Sequence, residues 1–316
     1  MSKKSNRLPG KVIAAYTFSS LATNSMWMLN NYFLLFFYTD VLLIPAKAAT
    51  VIFTIARFWD AINDPMMGVI CDRTRSKEGK SRFWLRHIAI PGGVFLALSY
   101  FCPSWATPVK IIWAGVTYIL QGMAQTAISI PVSALTVAIT PDRSERVRLG
   151  QYMAVPSMLA NVLIPALTMP LVRSFDSMET GFFVIALVIG VLYAVSTILV
   201  EYATKGMDPD TSSAEFAESE RKETISLLAQ VKAAFQNKYS TMVLLGNMSY
   251  MLLSGLLGST LIYYFRYYVG NEDLMGVYSP ALMVGMVLCI LTMGFIAKKV
   301  GNANSVILGA LLCLAA

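Results

Sequence analysis

The sequence predicts an all-α, polytopic membrane protein, and three observations predict it. Of the 316 residues, 56% are hydrophobic and only 14% are charged, with a mean hydropathy of +0.59. Soluble domains carry about 25% charged residues. Apolar runs long enough to cross a bilayer recur along the chain. Basic residues gather in alternate connecting segments. The same sequence argues against other classes. Cys71, Cys102, Cys289 and Cys313 show neither CxxC nor metal-ligand spacing, and His87 is the single histidine. No nucleophile–base or metal constellation is visible, so an enzyme is not expected, nor a cofactor. The basic N-terminus runs into a long span rather than a short apolar stretch with a cleavage site, so no removable signal peptide is expected.

Taken in order, span 1 is placed roughly at Lys11 to Thr39 and is unusually polar, with Ser19, Ser20, Thr23, Asn24, Ser25, Asn30 and Asn31. Span 2 is placed from about Ala46 to Cys71, and span 3 from about Phe83 to Phe101 with a kink expected at Pro91-Gly92-Gly93. Span 4 covers roughly Lys110 to Ile139, span 5 Leu149 to Val172 with three prolines, and span 6 Gly181 to Val200. A polar segment follows. Met207 to Glu220 is acidic and Ser-rich, which suits a flexible linker. Ile225, Leu228, Val231 and Phe235 then fall at helical spacing, as in an amphipathic helix on a membrane surface. Spans 7 and 8 are placed from about Tyr239 to Val269 and Leu274 to Ala297. The run from Asn304 to Ala316 is too short to cross ~30 Å of hydrocarbon, so about eight to nine spans are expected, with the chain incomplete at its C-terminus. The expected division is an N-terminal bundle at 1–200, a linker at 201–238 and the start of a second bundle at 239–316.

Most of the 25 basic residues fall on one side of this topology. They include Lys3, Lys4, Arg7 and Lys11, the group from Arg73 to Arg86, Arg143 to Arg148, and Lys298 and Lys299. Lys47, Lys110, Arg173 and Arg266 fall on the other side. The positive-inside rule then sets the N-terminus in the cytoplasm. Anchoring the cytoplasmic face accounts for the net charge of +7 without a nucleic-acid partner. Glycine-plus-basic turns recur after span 2 (Gly68, Asp72, Arg73, Gly79, Lys80) and after span 8 (Gly294, Lys298, Lys299, Gly301), as duplicated transporter halves would place them.

Span 2 carries the chemistry. Arg57, Asp60 and Asp64 recur at helical spacing and share one face, with Asn63 one position off it. Charge at membrane depth costs at least ~2.5–3.5 kcal/mol per residue, so it persists facing a cavity or a partner. Two carboxylates against one guanidinium leave one negative charge in excess, which a Na⁺ ion or a proton would fill. The alternative is a buried ion triad holding helices together. In span 4, Gln121, Gln125 and Ser129 form one polar stripe, with Thr126 beside it. Their alternatives are substrate contacts or plain interhelical hydrogen bonds. In span 1, Asn24 and Asn31 lie near one face with Trp27 adjacent, a set suited to sugar hydroxyls and a pyranose face. The Tyr263-Tyr264 and Tyr267-Tyr268 pairs read as interfacial belt residues.

These residues resemble the glycoside–pentoside–hexuronide:cation symporters, the melibiose permease group of the major facilitator superfamily. The resemblance rests on Tyr38-Thr39-Asp40-Val41, and on Ala56-Arg57, Trp59-Asp60-Ala61-Ile62-Asn63-Asp64-Pro65 and Met67-Gly68. It continues through Thr74-Arg75, Gly79-Lys80, Tyr118-Ile119-Leu120, Thr126, Ile130-Pro131, Asp142, Glu145 and Arg146. It implies a major facilitator-type helical bundle of twelve spans in two halves, lying in a bacterial plasma membrane and coupling sugar uptake to Na⁺, Li⁺ or H⁺. It implies that Asp60, Asp64, Asn63 and Thr126 bind the cation and that Arg57 is their charge partner. Asn24, Trp27, Trp59, Gln125 and Ser129 are expected around the substrate, and Asp72, Arg73, Arg75, Lys80 and Arg146 in a gating loop. Two departures bear on the substrate. Asn24 and Ser129 stand where melibiose carriers have aspartates, and Ser133 stands where they have an aromatic residue. A hexuronide, glucuronide or pentoside is therefore expected rather than melibiose. A Na⁺-coupled lipid carrier of the related branch is the alternative, and the polar face of span 1 favours a sugar.

Overall fold

The computed structural model describes residues 7–140, 142–208 and 238–271, together with 211, 236 and a few isolated positions between 274 and 285. The expected amphipathic linker helix, most of span 8 and span 9 lie outside the described residues. Within them the chain is helical, and the helices are α1 (Gly10–Leu29), α2 (Ala46–Arg73), α3 (Lys80–Ser99), α4 (Thr107–Ile139), α5 (Arg143–Arg173), α6 (Met178–Ala203) and α7 (Lys238–Tyr263). α1 continues as two π-helical turns, Asn30–Leu34 and Phe37–Val41, and α7 as one, Tyr264–Val269. By length and composition α4, α5 from Glu145 and α6 can cross a membrane. α1 to α3 hold the polar and charged residues that lower their hydropathy.

The first six helices form one bundle. α3 lies between α4 and α6, α1 between α5 and α6, and α2 packs along α4. Small residues set the tightest contact. A Cβ at Gly190 would stand 2.5 Å from the Gly93 carbonyl oxygen, so only glycine lets α3 and α6 meet backbone to backbone. α3 runs helical through Pro91-Gly92-Gly93, where the sequence places a kink, and Gly93 serves this close approach.

The core is aromatic at the end that carries the α1–α2 turn. Phe33, Phe36, Phe37, Tyr38, Tyr100 and Phe182 are all buried there. Burial of such rings without partners for their polar atoms would be costly. The π-helical turn supplies one partner, since Tyr100 Oη donates to the Leu29 carbonyl at 3.0 Å, where the α-helical ladder gives way. Tyr38 Oη donates to the Ala114 carbonyl at 3.2 Å. From Tyr38 a column of rings runs inward. Tyr38 stacks on Phe53 at 5.8 Å between centroids, and Phe53 meets Tyr118 edge-on at 5.1 Å.

The opposite end is polar and clasped. Asp208 and Thr211, counted with the linker in the expected division, pack onto the α2–α3 loop. Asp208 Oδ2 accepts from the backbone N–H of Ser81 at 2.9 Å and of Arg82 at 3.1 Å, capping α3 from a distant part of the chain. Gly79, with φ of 95°, leaves room for that carboxylate. Thr211 Oγ1 accepts from Ser76 N at 3.1 Å, and Thr211 N donates to Ser76 O at 3.2 Å. Arg82 is buried and pairs with Glu201 at the end of α6.

Candidate cation and substrate site

α2 buries Ala49, Ile52, Ala56, Asn63, Met67 and Cys71, spaced three, four or seven apart, against its neighbours. This turns the charged face aside from the packed stripe, along the border with α4. The side chain of Arg57 is 69% exposed and that of Asp60 33% exposed, and the two pair at 3.4 Å between Nη1 and Oδ2. Asp60 Oδ1 lies against α4 at Gly122, where a Cβ would stand 3.4 Å from it. One turn further, Thr126 Oγ1 donates to Asp64 Oδ1 at 2.8 Å. Both carboxylates therefore lie against α4, at residues four apart, which is the same register that separates them on α2. Pro65 in the helix interior has no N–H for the Ala61 carbonyl, so a backbone oxygen between the two aspartates lacks its ordinary helix partner.

The expected accessory ligand lies off the charged face, as its spacing requires. Asn63 is 3% exposed on the buried stripe, and its Nδ2 has no hydrogen-bond partner. Trp59 Nε1 and Gln121 Oε1 are buried and unpartnered as well. Unpaired buried donors and acceptors are rare enough to mark a place where a ligand, water or ion belongs. Among the described residues no group of three or more His, Cys, Asp or Glu side chains converges. A cation here would rest on two carboxylates with hydroxyl, amide and backbone oxygens, a donor set that suits a hard ion.

Of the residues expected around the substrate, Asn24 is tied to a neighbouring helix. Asn24 Nδ2 donates to the Ser20 carbonyl at 2.9 Å and to Ser157 Oγ at 3.0 Å, and Ser20 and Ser157 hydroxyls meet at 2.6 Å. The amide donor is thus spent on α5, a partner that spacing along α1 does not reveal. Trp27 is exposed, Gln125 half-buried and Ser129 exposed, with Ser129 Oγ donating to the Thr126 carbonyl at 3.4 Å. In the expected gating loop Lys80 pairs with Asp72 at 2.9 Å. Arg146 Nη2 donates to the Thr140 carbonyl at 2.9 Å, while Arg73 and Arg75 are exposed around the turn after α2. The tyrosine pairs correct the sequence reading in part. Tyr264 and Tyr268 are exposed and stack on each other, as belt residues do. Tyr263, half-buried, and Tyr267, itself exposed, hydrogen-bond to Thr39 and Asp40.

Helices long and apolar enough to cross a membrane, with a carboxylate pair set against α4, suit an integral membrane carrier. Residues 15–316 match the family model described as MFS/sugar transport protein. The chain belongs to that family, within its glycoside–pentoside–hexuronide:cation symporter group. It is 30% identical over 314 residues to an isoprimeverose transporter of Lactiplantibacillus pentosus, covering 98% of this chain and 64% of that protein. It is 31% identical over 259 residues to the inner membrane symporter YicJ of Escherichia coli K12, covering 80% and 53%. A glucuronide carrier protein homolog of the same organism is 24% identical over 320 residues, covering 97% and 66%. The chain spans about half to two thirds of the length of these relatives.

Proposed function

We propose that this protein is a secondary active transporter that carries a sugar or glycoside together with Na⁺, Li⁺ or H⁺ by alternating access. One observation carries the reading: Asp60 and Asp64 lie in register against Gly122 and Thr126, with Thr126 Oγ1 on Asp64. In this reading the coupling cation enters between α2 and α4 and neutralises the excess negative charge beside Arg57. Asn63 and the Ala61 carbonyl supply further oxygens. Charge neutralisation removes the penalty for moving the bundle against the bilayer and so permits reorientation. The α2–α3 loop faces the cytoplasm of a bacterial cell, as the basic residues around it support. Asn24, Trp27, Trp59, Gln125 and Ser129 face the sugar. Asn24 and Ser129 do not repel a carboxylate, and named relatives include an isoprimeverose transporter and a glucuronide carrier homolog. The substrate is accordingly a glucuronide, other hexuronide or pentoside.

The test is cation uptake driven by added glycoside in cells making the intact protein, with Asp60→Asn and Asp64→Asn beside it. Both variants should lose coupled uptake while still reaching the membrane. Normal coupling in both would end the assignment. Among a glucuronide, a xyloside and a galactoside, movement of the galactoside alone would overturn the substrate reading.

A further inference from the structure

A groove of about 410 Å³ lies between the start of α1 and the end of α6, at the end of the bundle where Glu201 meets Arg82. Lys11, Ala14 and Phe18 line it from α1, and Leu199, Tyr202 and Ala203 from α6. The α1 residues are spaced three and four apart, so they share one face over ~10 Å of helix. Ala14 is exposed, and its methyl leaves the groove open. Apart from Lys11 and Tyr202 the lining is apolar. Both of these are exposed and stand at the helix ends. An ammonium on an alkyl stem and an amphipathic ring are the residue types that sit at headgroup level. The charge at this end is positive. Arg7 and Lys205 are exposed within a few residues of the lining. The nearby acids are already engaged, Glu201 by Arg82, Asp208 by the Ser81 and Arg82 amides, and Glu145 by Leu8 N and Arg148. Among the described residues Lys11 has no ion-pair partner. The first turn of α1 holds no acidic residue and no side chain caps it, so the positive end of the helix dipole adds to these cations.

We propose that this groove binds an anionic phospholipid of the cytoplasmic leaflet, with the phosphate on Lys11 and one acyl chain laid between α1 and α6. Apolar walls with a cationic mouth match a molecule that is a chain at one end and an anion at the other. The walls offer nothing to the hydroxyls of a sugar, which would be buried there without partners. Charge chooses among lipids. A zwitterionic headgroup brings its own cation to Lys11, whereas phosphatidylglycerol brings the phosphate alone. The groove lies apart from Asp60 and Asp64, so a lipid in it fastens the α1–α6 seam without touching the cation site. The binding requires only that this end lies at a membrane surface, and the choice of leaflet follows the orientation proposed above.

The test is native mass spectrometry of the intact protein in a neutral detergent, titrated with dioleoyl phosphatidylglycerol or with dioleoyl phosphatidylcholine. The affinity of the first bound lipid is read for each. Phosphatidylglycerol should bind the tighter. Lys11→Gln should weaken phosphatidylglycerol about fivefold and leave phosphatidylcholine unchanged, while Lys11→Arg stays near wild type. Ala14→Phe fills the groove, and displacing about two methylenes should weaken phosphatidylglycerol about tenfold. Melting without lipid checks that the variants fold, and Ala14→Leu replaces Ala14→Phe should the latter melt early. Equal affinity of wild type for the two lipids means a belt of unspecific lipid and overturns the site. Phosphatidylglycerol binding unchanged by Lys11→Gln, or by the folded Ala14 variant, overturns it as well. Glycerol 3-phosphate, the headgroup without chains, should not displace the lipid; displacement at equal concentration means a free-phosphate site and overturns the lipid assignment. No readout here needs transport, so failure of the symport reading and failure of this site are separate results.

Discussion

Asp208 offers a perturbation whose size follows from the geometry. It caps α3 through Ser81 N and Arg82 N, and it stands beside the buried Arg82–Glu201 pair. Asp208→Ala removes the acceptor for two amide donors at a positive helix end. Loss of a capping side chain costs ~1 kcal/mol, and loss of the negative charge near the helix dipole adds ~0.3–1 kcal/mol. Asp208→Asn keeps one acceptor and should cost under ~1 kcal/mol. The assay is hydrogen exchange at the Ser81 and Arg82 amides of the purified protein. In Asp208→Ala these amides should exchange about tenfold faster, the equivalent of ~1.4 kcal/mol, with α4 amides unaffected. Gly79→Ala should reproduce the effect, because a Cβ there would collide with the Asp208 carboxyl group. The pH dependence has a definite sign. Burial pushes the Asp208 carboxyl above its ordinary range, partly opposed by the Arg82 and Ser81 amides and the Arg82 charge. A carboxyl whose folded pKa is raised binds its proton more tightly in the folded state. Its burial penalty is therefore fully present above the raised pKa and is relieved as pH falls toward the ordinary range. Wild type should gain stability relative to Asp208→Asn on acidification through that window. Amides that exchange no faster in Asp208→Ala would refute the capping argument.

Three further outcomes are expected. Thr126→Val removes the 2.8 Å bond to Asp64 and should raise the cation concentration for half-maximal transport about tenfold, while Thr126→Ser stays near wild type; equal behaviour of the two variants would count against Thr126 as a ligand neighbour. Gly93→Ala forces α3 away from the Gly190 backbone and should cost ~1–3 kcal/mol in denaturant unfolding, whereas unaltered stability would mean that the contact relaxes freely. Phe53→Ala removes the middle ring of the Tyr38–Phe53–Tyr118 column and should admit cations without sugar, measured as faster collapse of an imposed ion gradient; a membrane as tight as wild type would refute it.

The spans and the carboxylate face were legible because they are properties of one helix. Helical spacing places Asp60 and Asp64 together, and hydropathy finds α4, α5 and α6. Thr126 was legible through the family resemblance, which pairs span 4 with span 2. What spacing cannot carry is the identity of a neighbour. Asn24 is expected to face a substrate, its donor is held by Ser157 of α5, and nothing in span 1 announces that. Asp208 looked like one acidic residue of a solvated linker, although it caps a helix more than a hundred positions away. Gly93 suggested a bend because glycine weakens helices, and the packing use of a missing Cβ shows only when Gly190 is brought beside it. Tyr263 and Tyr267 carry the same residue type as Tyr264 and Tyr268. The bonds of Tyr263 and Tyr267 to Thr39 and Asp40 depend on neighbours that spacing along α7 does not name.

The aromatic column also shapes the electrical landscape of the protein. Voltage across a membrane falls most steeply where water is absent, and moving one elementary charge through 100 mV is worth ~2.3 kcal/mol. Tyr38, Phe53 and Tyr118 form a run of rings in contact between the Asp40 end of α1 and the Asp60 carboxylate, with Tyr38 fully buried. For a carrier of the kind proposed, much of the membrane field would fall across these three rings. In such a carrier the step that carries current would be the parting of the column, with an ion held at the carboxylates staying at the potential of whichever side remains wet.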